Sequence, residues 1–408
     1  MPTGFAYLIS AQFFSGLADN ALLIVGIFVL EQQGQPGWWA PLLKIFFNAS
    51  YVLLAPLLGP LADACPKARL MAAMNAVKLG GVLVLLIGGH PALAFAIVGL
   101  AASAYAPAKY GLVCESVPSG WLVRANAWLE VSVVLSVVLG IAFGGALVAL
   151  CLEPALSAWV STRAHALGLA NPGLPALVLV ALLYLLAATL NAHIRPGPWA
   201  GALQPLRWQR IGWPHFWRSQ LSLWQDPMGG LSLYVTTLYW GVGAVIQFAV
   251  LLWAERQLGL PLQQGALLQA LVAIGAMAGA ALAGRCCKLP AARQVLPVGL
   301  LLPALLPVIA FTSQLWLALP LMVLVGAAGG VLLVPMNALL QHRGRRVLHT
   351  GQSIAVQGFN ENLSVLLMLG LYSALLALDW PVWTIMLAFS GLLAAGMAPL
   401  LWRRRARS

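Results

Sequence analysis

The chain has 408 residues, of which 61% are hydrophobic and only 8% are charged. A water-soluble domain carries about 25% charged residues, so this composition excludes a soluble globular protein and indicates one that lies in a lipid bilayer. The net charge of +12 is explained by membrane topology, and it does not predict nucleic-acid binding.

Apolar stretches long enough to cross a bilayer follow one another along the whole chain. Many contain glycine and proline, which membrane helices tolerate. The first stretch has no basic segment before it and contains Asp19, so we expect a retained helix and not a cleaved signal peptide. The predicted spans are 5–30, 38–61, 70–89, 92–113, 123–151, 174–194, 229–254, 264–284, 295–312, 315–340, 352–378 and 380–402.

The basic residues lie mainly on one side of these spans. When the loops alternate between the two sides, 17 of the 22 Lys and Arg residues lie on one side, and only Arg163 and Arg256 lie on the other. The remaining Lys44, Lys78 and Lys109 lie inside spans. Because Lys and Arg are enriched in cytoplasmic loops, the basic side is predicted to be cytoplasmic, with both termini there.

The longest polar interruption, 196–228, divides the predicted spans into two sets of six. It predicts an N-terminal six-helix bundle at 1–195, an amphipathic cytoplasmic linker, and a C-terminal six-helix bundle with a basic tail at 229–408. Trp and Arg are interleaved in the linker, which is typical of a segment at the level of the lipid headgroups. We interpret it as a linker resting on the membrane; a lipid sensor is the alternative.

The two sets of spans share local features. The fourth and tenth spans both have Pro with a polar residue two positions later near their cytoplasmic ends, and the next span in each set carries a single acid, Glu130 or Glu361. Parallel repeats of six spans build the major facilitator fold. The predicted fold class is therefore an all-α integral membrane protein, with twelve transmembrane helices in two six-helix pseudo-repeats.

The loop between the second and third spans contains Gly59, Asp63, Lys67 and Arg69. It resembles the loop motif of the major facilitator superfamily, in which a glycine is followed by an aspartate and then by basic residues. Asp63 is expected to pair with a neighbouring helix end or a basic side chain and to hold one conformer closed. The alternative is a plain positively charged loop with one acid.

Several ionisable residues lie inside predicted spans, where each costs about 2.5–3.5 kcal/mol on insertion scales. Polar neighbours three or four positions away share a helix face with them, which predicts a common polar cavity. The alternative is that these residues hold the bundle together through hydrogen bonds, and Lys44 is expected to snorkel to the surface. The candidate substrate-binding residues are Asp19, Asn20, Lys78, Lys109, Tyr110, Glu130, Gln247, Gln357, Asn360 and Glu361.

The sequence contains no motif for catalysis or for a cofactor. The five cysteines form no CxxC pair, the histidines do not cluster, and no Walker loop, GxSxG or HExxH is present. We therefore predict that the chain is not an enzyme and that it uses no metal or cofactor.

Four segments resemble bacterial lysophospholipid transporters of the major facilitator superfamily. Residues 11–23, 104–111, 334–344 and 355–362 are similar to the first, fourth, tenth and eleventh helices of that family, and the resemblance runs from about residue 5 to residue 402. It implies inward movement of lysophosphatidylethanolamine and lysophosphatidylglycerol across the bacterial inner membrane without ATP. It also implies that an acyltransferase on the cytoplasmic side then rebuilds the diacyl lipid.

The resemblance implies headgroup-side roles for Asp19 and Lys109. The chain departs from the family at Gln247, where members often carry Arg, so the phosphate must use another cation or bind more weakly. A phosphate favours a cation such as Lys109 or Lys78, and an ammonium favours a carboxylate such as Asp19, Glu130 or Glu361. The acyl chain requires an apolar path.

Two other functions stay open at this stage. One is a proton-coupled exporter of a drug or metabolite of the same superfamily, driven through Asp19 or Glu361. The other is a membrane scaffold or lipid sensor that transports nothing, although the cost of keeping buried charges argues against it. The chain is expected to act as a monomer, and its headgroup preference and driving ion stay open.

Overall fold

The computed structural model describes residues 3–35, 39–153, 173–195, 203–206, 211–260 and 262–405. Within these ranges all regular structure is helical. The α-helices are α1 (Thr3–Gln32), α2 (Trp39–Leu53), α3 (Ala55–Ala64), α4 (Lys67–Leu86), α5 (Pro91–Ser116), α6 (Leu122–Leu152), α7 (Leu174–Ala192), α8 (Trp213–Gln225), α9 (Pro227–Leu258), α10 (Leu262–Cys286), α11 (Leu301–Ala310), α12 (Leu315–Val347), α13 (Thr350–Ala377) and α14 (Val382–Arg405).

The described ranges contain 11 helices that are long and apolar enough to cross a membrane, and 12 if the bent pair α2 and α3 is one span. The two helices of that pair meet at an angle of 67°. Pro56 lies in the first turn of α3, where it donates no amide hydrogen bond and its ring disfavours a continuous helix across the junction. The predicted all-α membrane fold is confirmed.

Two elements differ from the predicted spans. The ninth span was predicted at 295–312, but a 3₁₀ segment at Leu289–Leu300 precedes α11, and Pro297 inside that segment removes an amide donor. In the predicted linker, α8 forms a helix of its own next to α9. Residues 196–202 and 207–210 of the linker lie outside the described residues.

The chain forms two compact units that do not follow the order of the sequence. The first unit comprises Met1–Val117, Leu135–Ser219 and His349–Gly358; the second comprises Pro118–Val134, Gln220–Leu348 and Phe359–Ser408. Helices α6, α8 and α13 therefore each contribute residues to both units. The division into six-helix repeats at the linker stays a prediction.

The core of the first unit includes apolar side chains of α1, α4, α5 and α7. Leu22, Val82 and Val180 are fully buried in it, and Phe95 of α5 is nearly so. A Cβ atom on Gly26 would lie 2.6 Å from the ring of Phe95, so this close packing of α1 requires a residue without a side chain.

In the second unit, glycines bring α10 and α12 into backbone contact. Gly275 and Gly279 lie one helical turn apart on α10, as do Gly326 and Gly330 on α12. A Cβ atom on Gly326 would lie 1.9 Å from the carbonyl oxygen of Val272. Small residues four positions apart let membrane helices approach closely enough for dispersion forces to hold them.

Candidate functional site

A buried ion pair joins α1 and α4 in the first unit. The Nζ atom of Lys78 lies 2.8 and 2.7 Å from the two carboxylate oxygens of Asp19 and donates a further hydrogen bond, of 3.0 Å, to the Oγ atom of Ser15. The side chain of Lys78 is 1% exposed and that of Asp19 is 19% exposed. The structure therefore brings two predicted site residues into direct contact with each other.

Aromatic side chains enclose this pair. The hydroxyl of Tyr184, on α7, donates a 2.7 Å hydrogen bond to Asp19. The ammonium of Lys78 lies 5.1 Å from the ring centroid of Tyr105 and 5.5 Å from that of Tyr184. Both distances lie in the range of a cation–π interaction, so the rings stabilise the ammonium in a place that water reaches poorly.

Helical spacing explains how the sequence builds this cluster. Ser15 and Asp19 lie four positions apart on α1, and Asn75 and Lys78 lie three apart on α4, so each pair occupies one face of its helix. The hydroxyl of Ser15 donates a 2.8 Å hydrogen bond to the Oδ1 atom of Asn75, which brings the two faces together. Removing one member of a buried ion pair typically costs about 3–5 kcal/mol, because the other charge stays behind uncompensated.

Lys109 and Tyr110 of α5 and Asn20 of α1 also belong to the first unit. Lys109 of α5 is 9% exposed, and its ammonium lies 4.5 Å from the ring centroid of Tyr110. Tyr105, which packs against Lys78, lies one helical turn before Lys109 on α5, so the two side chains share a face of that helix. The side chain of Asn20 donates a 2.8 Å hydrogen bond to the carbonyl of Gly16 in its own helix.

The remaining predicted substrate residues lie on three helices. Glu130 is half-buried on the part of α6 that belongs to the second unit, and Gln247 is exposed on α9. Gln357 is buried on α13 in the first unit, whereas Glu361 is half-buried further along α13, in the second unit. These positions place polar groups in both units.

Asn360 makes a reciprocal amide pair with a residue that was not singled out from the sequence. Its Nδ2 atom donates to Gln220 at 2.9 Å, and the Nε2 atom of Gln220 donates back at 3.0 Å. Gln220 belongs to α8, the helix of the linker. Within the second unit, the side chain of Asn360 therefore joins α13 to α8.

Asp63 binds the beginning of α13 in the first unit. Its carboxylate accepts hydrogen bonds from the backbone amides of Gly351, at 2.7 Å, and Gln352, at 3.1 Å. These amides belong to the first turn of α13, where unpaired donors and the helix dipole favour an anion. A Cβ atom on Gly59 would lie 2.8 Å from the Cα atom of Gln352, so the glycine permits this approach.

The basic residues of the same loop have different environments. Lys67 forms a 2.6 Å ion pair with Glu115 of α5, and both side chains are largely buried. A Cβ atom on Gly111 would lie 2.6 Å from the Cε atom of Lys67, so the lysine stem lies along α5. Arg69 is exposed. Glu115 was not predicted from the sequence, where it is one acid near the end of a span.

A third ion pair links the start of α9 to α12 in the second unit. Asp226 caps α9 by accepting hydrogen bonds from the amides of Met228 and Gly229, and Arg343 donates to it at 2.5 and 3.0 Å. The Arg343 guanidinium, aided by the two capping amides, holds the pKa of the Asp226 carboxyl below its ordinary value against the opposing effect of burial. This pair was not predicted from the sequence, although an Asp immediately before a Pro-initiated helix is a capping signal.

In the described part of the chain, the 11 or 12 helices that can cross a membrane and the charges buried among them are typical of a membrane transporter. The model of the Major Facilitator Superfamily matches residues 8–364. The structure is similar to the human organic anion transporter MFSD10 (TETRAN), with a TM-score of 0.73 and 16% identity over 98% of this chain and 100% of that chain. It is also similar to the superfamily transporter FucP in the outward conformation, with a TM-score of 0.74 and 15% identity over 98% and 99%.

Sequence similarity points to a particular family within this superfamily. The lysophospholipid transporter LplT of Yersinia enterocolitica is 37% identical over 380 residues, which are 93% of this chain and 89% of that protein. LplT of Yersinia pestis (strain Pestoides F) is 37% identical over 92% of this chain and 87% of its own length. The chain therefore belongs to the lysophospholipid transporter family of the Major Facilitator Superfamily, and the family predicted from the four segments is confirmed.

Proposed function

We propose that this chain moves lysophosphatidylethanolamine and lysophosphatidylglycerol from the outer to the inner leaflet of the bacterial inner membrane, by alternating access and without ATP. The observation that carries this proposal is 37% identity over 93% of the chain to a relative named as a lysophospholipid transporter. The ion pair of Asp19 and Lys78 supports it, because Lys78 can complement the phosphate of either lipid and Asp19 the ammonium of lysophosphatidylethanolamine.

The headgroup binds by exchanging partners with this ion pair. Lys78 already neutralises Asp19 through two short contacts, so an incoming ammonium competes with Lys78 for the carboxylate. A released Lys78, together with Lys109, then binds the phosphate. Gln247, the predicted substrate residue on α9, carries no charge, so the two lysines supply the positive charge that the phosphate requires. Glu130 and Glu361 are the acids that we predict to contact an ammonium in the second unit.

Alternating access uses the contact of Asp63 with α13. The carboxylate stabilises the first turn of α13 in the conformer seen here, and the contact has to break and re-form during each cycle. Gly59, Lys67 and Arg69 support this step by permitting the close approach and by placing positive charge around Asp63. The acyl chain stays in or near the lipid while the headgroup crosses.

The cellular setting follows from the same proposal. The protein lies in the inner membrane as a monomer with both termini in the cytoplasm, and its product is consumed by an acyltransferase on the cytoplasmic side. That enzyme class is required because a lipid with one acyl chain becomes a bilayer lipid only after a second chain is attached.

The test is movement of labelled lysophosphatidylethanolamine between the leaflets of liposomes that contain the purified chain. We expect movement without ATP, and a loss of about tenfold or more in Lys109→Ala, since a charge-assisted hydrogen bond contributes about 1.5–3 kcal/mol. Lys44→Ala, which removes an exposed lysine, is the matched control. The double variant Asp19→Asn/Lys78→Met removes the ion pair without leaving one charge behind.

Each outcome decides one part of the proposal. No movement above that in protein-free liposomes rejects the lysophospholipid function. Outward flux of an unrelated solute that follows an imposed pH gradient supports the exporter instead. Transport by Lys109→Ala at the unaltered rate rejects the role of Lys109 alone.

A further inference from the structure

Helix α8 presents three different faces. Successive residues of an α-helix lie about 100° apart, so residues three or four positions apart form rows along it. The outer row is apolar and consists of Trp213, Trp217, Leu221 and Trp224. The inner row consists of Phe216, Ser219, Gln220 and Leu223, and the polar row of Arg218, Ser222 and Gln225.

The inner row is buried against the protein. Leu223 is fully buried and Phe216 is 5% exposed. Phe216 and Ser219 line a small cleft together with Pro56 of α3 and Ala355 of α13. The inner row is therefore the face through which α8 packs against the rest of the protein.

Two amide contacts join α8 to the first three turns of α13. In the first unit, the Nε2 atoms of His215 and Gln352 lie 2.8 Å apart in a hydrogen bond. In the second unit, Gln220 and Asn360 form their reciprocal amide pair. Gln352 is also one of the two residues whose backbone amides bind Asp63. Helix α8 therefore contacts the same turn of α13 whose backbone amides bind Asp63.

The outer row is exposed in the described part of the structure, although it is strongly apolar. Trp217 is 48% exposed and Leu221 is 57% exposed. A contiguous apolar row of this kind is unfavourable in contact with water, so an apolar layer has to cover it.

The connection to α9 places this row at the surface of the membrane. Asp226 alone separates the end of α8 from the first residue of α9, which is a membrane span. A Cβ atom on Gly230 would lie 2.3 Å from the backbone oxygen of Trp224, so the end of α8 packs directly on the first turn of that span. Leu221 and Trp224 therefore lie near the level at which α9 enters the bilayer.

We propose that the outer row of α8 docks into the anionic headgroup layer on the cytoplasmic side of the membrane, and that this docking stabilises the contacts of α8 with the beginning of α13. Trp suits the boundary between headgroups and acyl chains. Arg218 borders the outer row, so its positive charge favours anionic lipid there. In the sequence, Arg207 and Arg210 precede the helix. This inference does not depend on which solute the protein carries.

The first test measures the depth of α8 in nanodiscs. A cysteine replaces Trp217 or, as the matched control, Ser222 of the polar row, in a chain whose five native cysteines are alanine, and each is labelled with an environment-sensitive fluorophore. We expect brominated lipids to quench the label at position 217 and not at 222. Equal quenching at both positions overturns the proposal. A label at 217 that is shielded from both brominated lipid and aqueous iodide also overturns it, because a protein partner then covers the row.

The second test measures amide hydrogen exchange in the segment 349–360, with the full chain in nanodiscs that contain phosphatidylglycerol or only phosphatidylcholine. We expect exchange to be roughly fivefold slower with phosphatidylglycerol, as the loss or gain of one surface cation contact would produce. Arg218→Gln and the double variant Trp217→Ser/Trp224→Ser should lose this difference, and Ser222→Ala should retain it. Exchange that is the same in both lipids for the unaltered chain overturns the proposed coupling.

Discussion

At the scale of single residues, the interior of this transporter is organised by pairs of opposite charge. Lys78 with Asp19, Lys67 with Glu115 and Arg343 with Asp226 each join two different helices. Pairing lowers the cost of ionised side chains in or near a membrane. In the function proposed above, a substrate charge therefore replaces an existing partner of Asp19 or Lys78.

The first prediction concerns the buried pair of the first unit. Lys78→Met and Asp19→Asn should each lower the apparent melting temperature markedly, because each leaves a buried group without its partner, at about 3–5 kcal/mol. The double variant should cost less than the sum of the two single variants. The measurement is thermal unfolding in detergent of all four forms, with Lys44→Met as the control for an exposed lysine. Strictly additive effects would show that the two charges do not interact.

The second prediction concerns pH and the pair of Asp226 and Arg343. Arg343 lowers the pKa of Asp226 in the folded protein, so the pair adds stability above the unfolded pKa of about 3.9 and loses it as the pH falls through the lower folded value. The difference in melting temperature between the unaltered chain and Arg343→Gln should therefore stay constant from about pH 8 to about pH 5 and shrink below about pH 4. The exposed Arg346, changed to Gln, provides the control. A difference that disappears already near neutral pH would contradict this assignment.

At the scale of elements, glycine spacing decides which helices touch. Helices α10 and α12 approach so closely that the backbone of each occupies the space in which a Cβ atom on the facing glycines would lie. Inside a bilayer, hydrophobicity does not determine which helices associate, because lipid tails are as apolar as leucine. Close packing and hydrogen bonds determine it instead. The same reasoning applies to Gly59, which lets α3 reach the beginning of α13.

The third prediction compares two glycines of α12. A Cβ atom on Gly326 would meet the backbone of α10 at 1.9 Å, whereas nothing lies within 4 Å of one on Gly329. Gly326→Ala should lower stability by about 1–3 kcal/mol through overpacking. Gly329→Ala should be neutral or stabilising by up to about 1 kcal/mol, because alanine favours the helix. Thermal unfolding of the two variants decides the matter, and equal losses would refute the assigned contact.

At the scale of the whole molecule, the distribution of the basic residues predicts how the chain is oriented in the membrane. The 17-to-2 distribution of Lys and Arg predicts that the loops at one membrane surface, together with both termini, are cytoplasmic. The same prediction places α8 at this surface, since α8 precedes the seventh span. It also explains the net charge of +12 by the way the chain is inserted.

The fourth prediction tests this orientation with reporters fused after Ser408. Green fluorescent protein should fluoresce at this position, because it folds in the cytoplasm, and alkaline phosphatase should be inactive, because it needs the oxidising periplasm. The control fuses the same reporters after residue 256, in a predicted periplasmic loop. At that position alkaline phosphatase should be active and green fluorescent protein should not fluoresce. Active phosphatase at the C-terminus would reverse the predicted topology.

The agreement between the predicted and observed helices has a simple cause. A span is a local property, since about 20 apolar residues suffice to cross the hydrocarbon. The prediction was less accurate where local chemistry changed the path, as at the bend before Pro56 and in the 3₁₀ segment that contains Pro297. The partners of Asp63 and Asn360 were not identified, because each contact joins segments that are far apart along the chain.

The sequence by itself determined that this protein is a membrane transporter of the lysophospholipid transporter family, and it predicted Asp19 and Lys78 as site residues. Composition, the length of the apolar stretches and short motifs indicate the class and the family, and none of them depends on how the helices pack. Only the tertiary structure decided that Lys78 neutralises Asp19 from a position 59 residues away, and that Asp63 holds an amide 288 residues away. Helical periodicity specifies the face on which a side chain lies, whereas the helix that meets this face is determined by the packing of the whole bundle.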